Sequence, residues 1–323
     1  MLKKISVIIP TFNRGWSILE AVGSVIAQDY YLSDRKHLSS THEPDSLASS
    51  IDKKTIDKNF EIIVVDDGST DNTNNLLKPL ADKGVITLLR QGNKGVSAAR
   101  NLGISHSHGD FIAFLDSDDL WLKDKLSCQI DFFNRNPDAM ICQTEEIWIR
   151  NGKRVNPKYK HKKLSGMIFE PSLHLCLVSP SAVMVRREFF DIKGLFDETL
   201  PACEDYDLWL RTSIDMPIWL VDRPCIIKKG GHDDQLSSNH SLDKYRIRSI
   251  LNLLNSSGVL NNTVLDKTKK QTNNTINIRL SDVQTEAAIK VLREKCTIYS
   301  QGCLKRGKIE EAEYYNKVIA AIS

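Results

Sequence analysis

Acidic residues cluster at two places in the sequence where an apolar run ends. Asp66 and Asp67 follow the run EIIVV, and Asp116, Asp118 and Asp119 follow the run FIAFL. Neighbouring carboxylates repel each other and are costly to remove from water, so stability alone does not favour them beside a buried strand. Mg²⁺ or Mn²⁺ would neutralise the second cluster, because these ions bind carboxylate oxygens, water and phosphate. The second cluster therefore predicts a site for a metal and a diphosphate.

Each cluster also has a purely structural interpretation. Ser69 or Asp71 could cap a following helix, and Asp118 or Asp119 could cap a helix over residues 120–134. Capping explains one acid of the second cluster but not three, which favours the metal. In the first cluster, one of the two carboxylates could accept a hydrogen bond from a nucleotide base while loop amides face phosphate or ribose.

Three more segments carry polar side chains that could act in binding or catalysis. The segment PTFNR follows the first apolar run and supplies Pro10, Thr11, Asn13 and Arg14. The segment NKGVSAARN supplies the small residue Ala98 for close backbone approach, and Lys94 and Arg100 as cations near the acids. The segment EDYDLW has helical periodicity and offers one of its carboxylates as a general base. Taken singly, the three segments are equally typical of a turn, a solvated helix start and acids at a helix N-terminus.

The elements that must position these residues follow from alternating apolar runs and helical patterns. Strands are predicted at residues 5–9, 61–65, 85–89 and 111–115, and helices at residues 16–28, 72–80, 97–105 and 123–134. Continuous apolar strands alternating with helices indicate a mostly parallel sheet covered on both faces, a doubly wound α/β fold. Such a sheet binds ligands beyond the carboxyl ends of its strands, where the polar segments lie.

The remainder of the chain departs from this rhythm. Residues 31–59 are polar and poor in aliphatics, which predicts a surface insertion. Two more strands are predicted at residues 141–149 and 218–227, and two more helices at residues 187–192 and 206–214. A C-terminal helical extension follows, with helices at residues 242–254, 281–302 and 309–322. Ser281 and Gln284 form a capping box, and the terminal helix pair has to pack on the catalytic body or on another subunit.

The bulk properties exclude several classes of protein. The chain has 44 Lys and Arg against 41 Asp and Glu, a net charge of +3, and no long uninterrupted basic block, which argues against a nucleic-acid partner. Its seven cysteines are scattered and lack CxxC pairs, as in reduced intracellular proteins. The short N-terminal apolar run is neither a signal peptide nor a membrane span. We therefore expect a cytoplasmic protein, with peripheral attachment to the inner face of a membrane left open.

The ordered set SVIIPTFNR, EIIVVDDGSTDNT, NKGVSAARNLGI, DFIAFLDSDDLW and ACEDYDLWLR resembles the family-2 glycosyltransferases of the GT-A fold. The resemblance covers residues 4–235 apart from the insertion. It implies a catalytic domain over residues 1–235, with a nucleotide-binding half to residue 120, an acceptor half after it, and a helical extension over residues 236–323. It further implies inverting transfer of a sugar from a nucleotide-diphospho-sugar, usually linked to UDP, to a hydroxyl acceptor.

The resemblance also implies roles for individual residues. Thr11 and Asp67 would contact the nucleoside, and Arg100 would lie near the nucleotide. Asp116 would lie by the ribose and the metal with Ser117 beside it, and Asp118 would bind the metal and the diphosphate. Asp205 would deprotonate the acceptor hydroxyl. His232, after two glycines, is either an ordinary loop histidine or a residue that ligates the metal or meets the diphosphate.

Departures from the family pattern refine the expectation and leave alternatives. A QxxRW motif and membrane helices are absent from the sequence, which favours the addition of single sugars over processive synthesis. Another nucleotide-sugar enzyme, such as a nucleotidylyltransferase, is a second candidate, although its Gly-rich N-terminal loop is absent. A non-catalytic sugar-nucleotide-binding scaffold is a third. A homodimer formed through the C-terminal helices is also open.

Overall fold

The computed structural model describes residues 3–31, 60–231, 242–260 and 278–322. Nine strands are found there: β1 Ile5–Thr11, β2 Phe60–Asp66, β3 Thr87–Arg90, β4 Phe111–Phe114, β5 Leu120–Trp121, β6 Ile141–Arg150, β7 Lys153–Val155, β8 Val183–Arg186 and β9 Trp219–Gly230. The insertion predicted at residues 31–59 lies, from residue 32 onwards, outside the described residues, and so does His232.

The α-helices follow the strands in the predicted alternation through the first half and then dominate the C-terminal region. In the described residues they are α1 Ile18–Ile26, α2 Thr73–Asp82, α3 Val96–His106, α4 Lys125–Arg135, α5 Phe169–His174, α6 Phe189–Lys193, α7 Glu204–Ser213, α8 Asp243–Ser256, α9 Asp282–Lys305 and α10 Ile309–Ala321. In that part of the chain, no helix has both the length and the apolar composition needed to span a membrane.

The strands form one sheet in the order β3-β2-β1-β4-β8-β6-β9-β5, with β7 added to β6. The first four strands in this order are parallel, so their carboxyl ends meet at one edge, and Thr11 of β1 lies in register with Asp66 of β2. The second half of the sheet is mixed, because β8 runs antiparallel to both β4 and β6. The predicted α/β architecture is confirmed.

Helices cover both faces of the sheet because its strands present apolar side chains on both sides. Val7 and Val64 pack toward α1, α2 and α4, whereas Ile8 and Phe114 pack toward α6 and α7 on the opposite face. The residues of β1 are all buried. The continuous apolar runs predicted a sheet buried on both faces, and the parallel strands are buried in this way.

The C-terminal helices pack on the body of the same chain. Tyr206 and Leu210 of α7 share one apolar cluster with Ile250 of α8, Leu292 of α9 and Val318 of α10. The capping box is confirmed at the start of α9, where the Ser281 hydroxyl and the Gln284 side chain bond reciprocally to backbone amides. This cluster buries the face that the terminal helix pair could not bury alone. The division of the chain at residue 235 stays a prediction.

One predicted helix begins later than expected, with a consequence for the acidic cluster. Leu120 and Trp121 form β5, which pairs with Ile227 and Ile226 of β9, and α4 begins only at Lys125. Pairing with the sheet overrides the helical periodicity of this segment. The interpretation of Asp118 or Asp119 as the cap of a helix over residues 120–134 is therefore wrong.

Candidate active site

A cleft of about 1190 Å³ opens at the carboxyl ends of the parallel strands, between the two halves of the sheet. Most of the residues singled out in the sequence line it: Pro10, Thr11, Asn13, Arg14, Asp67, Lys94, Arg100, Asp116, Ser117, Asp118 and Asp205. Asp66 and Ala98 are buried and are not among the lining residues, and His232 is outside the described part of the chain.

The loops after β1 and β2 hold each other in place. The backbone amide of Asn13 donates to the Ser69 hydroxyl at 2.9 Å, and the Asn13 side-chain oxygen accepts from the amide of Thr70 at 2.8 Å. Asn13 has a φ of 52°, a left-handed conformation that asparagine tolerates better than most residues. The Thr11 hydroxyl, at the end of β1, is buried and has no hydrogen-bond partner among the described residues. A polar atom of that kind suits contact with a ligand.

The two carboxylates after β2 have different surroundings. Asp67 accepts hydrogen bonds from the amides of Lys94 and Gly95, each at 2.8 Å, so its carboxylate orders the loop before α3. Asp66 instead braces its own turn by accepting from the Ser69 amide at 2.8 Å. That turn needs Gly68, whose φ is 83° and whose missing Cβ would lie 2.9 Å from the amide nitrogen of Asn93. Only the second carboxylate faces the cleft.

Arg100 connects the two halves of the cleft. Its guanidinium lies 2.7 Å from Asp116 and 2.5 Å from Glu204, and the residue is 3% exposed. Burial would lower the pKa of Arg100, but the two carboxylates outweigh burial and raise the pKa above its usual value. The Arg100 side chain therefore carries a fixed positive charge beside the acidic cluster. Glu204 was missed from the sequence, although it directly precedes Asp205.

The last acid of the cluster shapes the loop. Asp119 is 2% exposed and accepts hydrogen bonds from the Ser181 hydroxyl at 2.7 Å and from the Lys229 amide at 3.1 Å. The Ser181 hydroxyl also accepts from the Asp116 amide at 3.1 Å. Asp119 thus joins the loop after β4 to the end of β9, which explains its burial without a helix cap.

Asp116 and Asp118 are the residues that could hold a divalent cation. Both line the cleft, and the Asp116 side chain is 28% exposed. Among the described residues, no three His, Cys, Asp or Glu side chains converge into a complete metal site. Mg²⁺ and Mn²⁺ are commonly held by one or two carboxylates together with water and substrate phosphates. Two carboxylates at the cleft edge fit that mode.

A buried charged group forms the wall opposite the parallel strands. Lys163 donates to Glu146 and to the Thr144 carbonyl, each at 2.9 Å, and Lys228 donates to the Ser179 hydroxyl at 3.2 Å. Burial would lower the pKa of Lys228, but Glu146 and nearby Asp119 raise it. The cleft therefore has acids on one side and a permanent cation facing them. No sequence motif indicates this group, because Glu146 and Lys228 belong to different strands, β6 and β9, and Lys163 lies outside the strands.

Asp205 lies in the first turn of α7 and faces the cleft from the second half of the chain. Its carboxylate accepts from the amide of Tyr206 at 2.7 Å and from the Cys176 thiol at 3.5 Å. Cys203, just before the helix, has a φ of 62°, which turns the chain so that α7 starts at the cleft edge. The side chain is half-buried, as a group that meets a substrate hydroxyl would be.

Comparisons with known proteins agree with this architecture. Residues 39–192 match the family described as Glycosyl transferase family 2. A crystal structure of Staphylococcus aureus TarS residues 1–349 in complex with UDP-GlcNAc superposes with a TM-score of 0.59 at 18% identity, covering 98% of this chain and 90% of that chain. At this identity the match establishes the fold alone.

Relatives at higher identity come from bacteria. The chain is 30% identical over 250 residues to an uncharacterized glycosyltransferase of Rickettsia typhi, covering 75% of this chain and 69% of the relative. It is also 30% identical over 229 residues to the Escherichia coli UDP-Glc:alpha-D-GlcNAc-diphosphoundecaprenol beta-1,3-glucosyltransferase WfgD. That match covers 70% of this chain and 76% of the relative. Some relatives are much longer than this chain. An uncharacterized glycosyltransferase of Rickettsia conorii is 32% identical over 267 residues, which cover 82% of this chain but only 38% of the relative. The predicted resemblance is thus confirmed, and the chain belongs to glycosyl transferase family 2.

Proposed function

We propose that this chain is an inverting glycosyltransferase that moves a single sugar from a UDP-linked donor to a hydroxyl of a lipid-linked or polysaccharide acceptor. The observation that carries the proposal is the composition of the cleft. Asp67, Asp116 and Asp118 line one side of it, and Asp205 enters from the other half of the chain. A donor bound to the first group would expose its anomeric carbon to an acceptor held near the second.

The donor side suits a nucleoside diphosphate. The buried hydroxyl of Thr11 and the Asp67 carboxylate offer hydrogen bonds to a nucleoside, and the loop before α3, whose Lys94 and Gly95 amides donate to Asp67, lies beside them. Lys94, Arg100 and Lys228 supply positive charge along the cleft. Held by Asp118 and Asp116, a divalent cation would offset the negative charge that grows on the departing diphosphate.

The acceptor side suits a base. In the proposed reaction, the bond between the anomeric carbon and the diphosphate oxygen breaks while the acceptor oxygen attacks from the opposite face. The Asp205 carboxylate takes the proton of the acceptor hydroxyl as the new glycosidic bond forms. Inversion follows because attack and departure occur on opposite faces of one carbon. Arg100 and Glu204 fix the first turn of α7, so they position the base relative to the donor.

The names of the relatives narrow the choice of test substrates. The E. coli relative is named for transfer of glucose from UDP-Glc to a GlcNAc-diphosphoundecaprenol acceptor, and a Bacillus subtilis relative, 27% identical over 186 residues, is a putative teichuronic acid biosynthesis glycosyltransferase. Both names place those proteins in glycan assembly. We extend to this chain the UDP-linked donor and the acceptor class.

The direct test is calorimetry of UDP, UDP-Glc and UDP-GlcNAc binding with and without Mn²⁺, followed by transfer to a GlcNAc-diphospho-lipid. We expect UDP-sugars to bind in preference to GDP- and dTDP-sugars, and Mn²⁺ to tighten binding. The anomeric configuration of the product, read by NMR coupling constants, reports inversion. Failure of every UDP species to bind would overturn the donor assignment, and retained configuration would overturn the mechanism.

A further inference from the structure

Residues 150–162, here named the basic strip, carry charge that the rest of the chain does not share. The strip contains six cations, Arg150, Lys153, Arg154, Lys158, Lys160 and Lys162, and the sequence has no Asp or Glu between residues 147 and 169. The whole chain has 44 Lys and Arg against 41 Asp and Glu, so outside the strip the counts are 38 against 41. The small net positive charge of the chain therefore comes from this one segment.

The fold presents these cations to solvent. All six are exposed, and none of them forms an ion pair with a residue in the described ranges. The strip starts in the β6–β7 hairpin, where Arg150 lies opposite Lys153 and Ile149 opposite Arg154. Like charges directly across a ladder destabilise it. Folding therefore does not account for their placement, whereas an anionic partner does.

The strip is held in a defined shape. Asn151 and Gly152 have φ values of 49° and 72°, the two left-handed positions of a tight hairpin turn that fixes the register. Beyond the hairpin, the ring of His161 packs on Trp148 at 5.3 Å. The pKa of His161 is lowered, first by burial and then by the cations Lys160, Arg150 and Lys158, in accord with a positive potential there. The strip is thus a preformed surface.

Two apolar side chains accompany the charge. Tyr159 lies among the cations and is 88% exposed, and Met167, just beyond them, is 58% exposed. An exposed tyrosine among lysines suits the interface of a bilayer, where its ring enters the headgroup region and its hydroxyl stays hydrated. A soluble polyanion would use the charge alone. The combination favours a membrane surface over a free polymer.

The strip is continuous with the cleft. Trp148, Arg150, His161 and Lys163 line the same cleft as Asp205, on the wall opposite the parallel strands. We propose that the basic strip docks the protein on an anionic membrane surface, with the mouth of the cleft turned toward the bilayer. The docking itself rests on charge and exposure. Its use, to reach a lipid-linked acceptor, rests on the proposed function.

The test measures binding of the full chain to vesicles by co-sedimentation, with phosphatidylcholine alone or mixed with phosphatidylglycerol. We expect binding to the anionic vesicles only, and weaker binding at high salt because the attraction is screened. The strip variant combines Lys153→Gln, Arg154→Gln, Lys158→Gln and Lys160→Gln. Each cation near an anionic surface contributes about five-fold to partitioning, so this variant should lose more than about 100-fold.

A matched control removes the same charge elsewhere. It combines Lys78→Gln, Lys290→Gln, Lys305→Gln and Lys317→Gln, all exposed and on helices away from the strip. We expect the control to keep most of the vesicle binding, and Tyr159→Ser to weaken binding while leaving its salt dependence unchanged. Thermal unfolding checks that every variant is folded.

Two results would overturn the docking surface: equal losses in the strip and control variants, or binding to soluble polyphosphate without binding to anionic vesicles. Glycosyl transfer is not the readout, so a chain that docks but transfers no sugar would sink the proposed function and leave the docking surface standing.

Discussion

Arg100 and Glu204 form a buried ion pair of 2.5 Å that joins α3 to α7 across the floor of the cleft. The same guanidinium lies 2.7 Å from Asp116, so one side chain connects the acidic cluster after β4 with the helix that carries Asp205. Because Asp205 directly follows Glu204, the distance between Asp116 and Asp205 depends on this pair. Arg100 is a positioning residue.

Replacing Arg100 tests this relationship. Arg100→Met leaves Glu204 and Asp116 without their shared counter-ion, and removal of one partner from a buried pair costs about 3–5 kcal/mol. We expect a loss of that size in the free energy of unfolding measured with urea. The double variant Arg100→Met/Glu204→Gln should recover part of it, since one uncompensated charge is removed.

Arg90→Met is the matched control for that experiment. Arg90 also approaches a carboxylate, Asp66 at 3.6 Å, but its side chain is 58% exposed. Exposed pairs contribute about 1 kcal/mol or less because water screens them. If Arg100→Met is no more costly than this control, the buried pair does not hold the two halves together.

Asp205→Asn should separate binding from turnover. The amide keeps the shape of the side chain but cannot accept the proton of the acceptor, so we expect transfer to fall by roughly 100- to 10,000-fold. UDP affinity by calorimetry should stay close to that of the original chain. Asp207→Asn is the comparison, because Asp207 is buried, pairs with Arg211 at 2.9 Å and does not line the cleft. That variant should retain turnover per folded molecule. Near-normal turnover in Asp205→Asn, or a comparable loss in Asp207→Asn, would place the base elsewhere.

Asp118→Ala should remove the part of the UDP affinity that depends on Mn²⁺. A carboxylate that shares the cation with a diphosphate is lost, and we expect the Mn²⁺-dependent gain to fall by more than about ten-fold. Affinity measured in EDTA should change little. Glu198→Gln removes a different carboxylate of the same cleft and should keep the Mn²⁺ effect. An unchanged response of Asp118→Ala to Mn²⁺ would exclude this residue as a ligand.

Glu146→Gln should destabilise the fold in a pH-dependent way. Burial would raise the pKa of Glu146, but Lys163 and Lys228 outweigh burial and lower the pKa from 4.5 to about 2. The ionised carboxylate therefore stabilises the fold above pH 4.5, and this contribution is lost as the pH falls through about 2. Burial in turn lowers the pKa of Lys163, which offsets part of the gain. We expect a cost of about 1–3 kcal/mol at neutral pH.

The measurement for this variant is urea unfolding at neutral and acid pH. The difference between Glu146→Gln and the original chain should shrink as the pH falls below 4.5. Glu145→Gln serves as the control, because burial raises the pKa of Glu145 rather than lowering it. That substitution should not lose stability at neutral pH. A constant, pH-independent cost for Glu146→Gln would mean that packing, not charge, is what the substitution disturbs.

The sequence by itself determined the parallel half of the fold and which segments line the cleft at the ends of its strands. The apolar runs that become β1, β2 and β4 are continuous, which requires a sheet covered on both faces. Parallel strands bring their carboxyl ends to one edge, so the segments after them must meet there. Thr11, Asp67 and Asp116 could therefore be placed in one site without coordinates.

Only the tertiary structure decided what each acid contacts. Asp119 accepts a hydrogen bond from Ser181 and stabilises its loop. It does not cap a helix, because β5 pairs with β9 and α4 starts only at Lys125. Glu146 on β6 faces Lys228 because β9, distant in sequence, lies beside β6 in the sheet, and Lys163 contacts Glu146 from the segment after β7. Local periodicity indicates which face of an element is buried, but it does not indicate which charged residue a buried carboxylate contacts. Such partners come from pairings across long sequence separations, which only the folded chain brings within hydrogen-bonding distance.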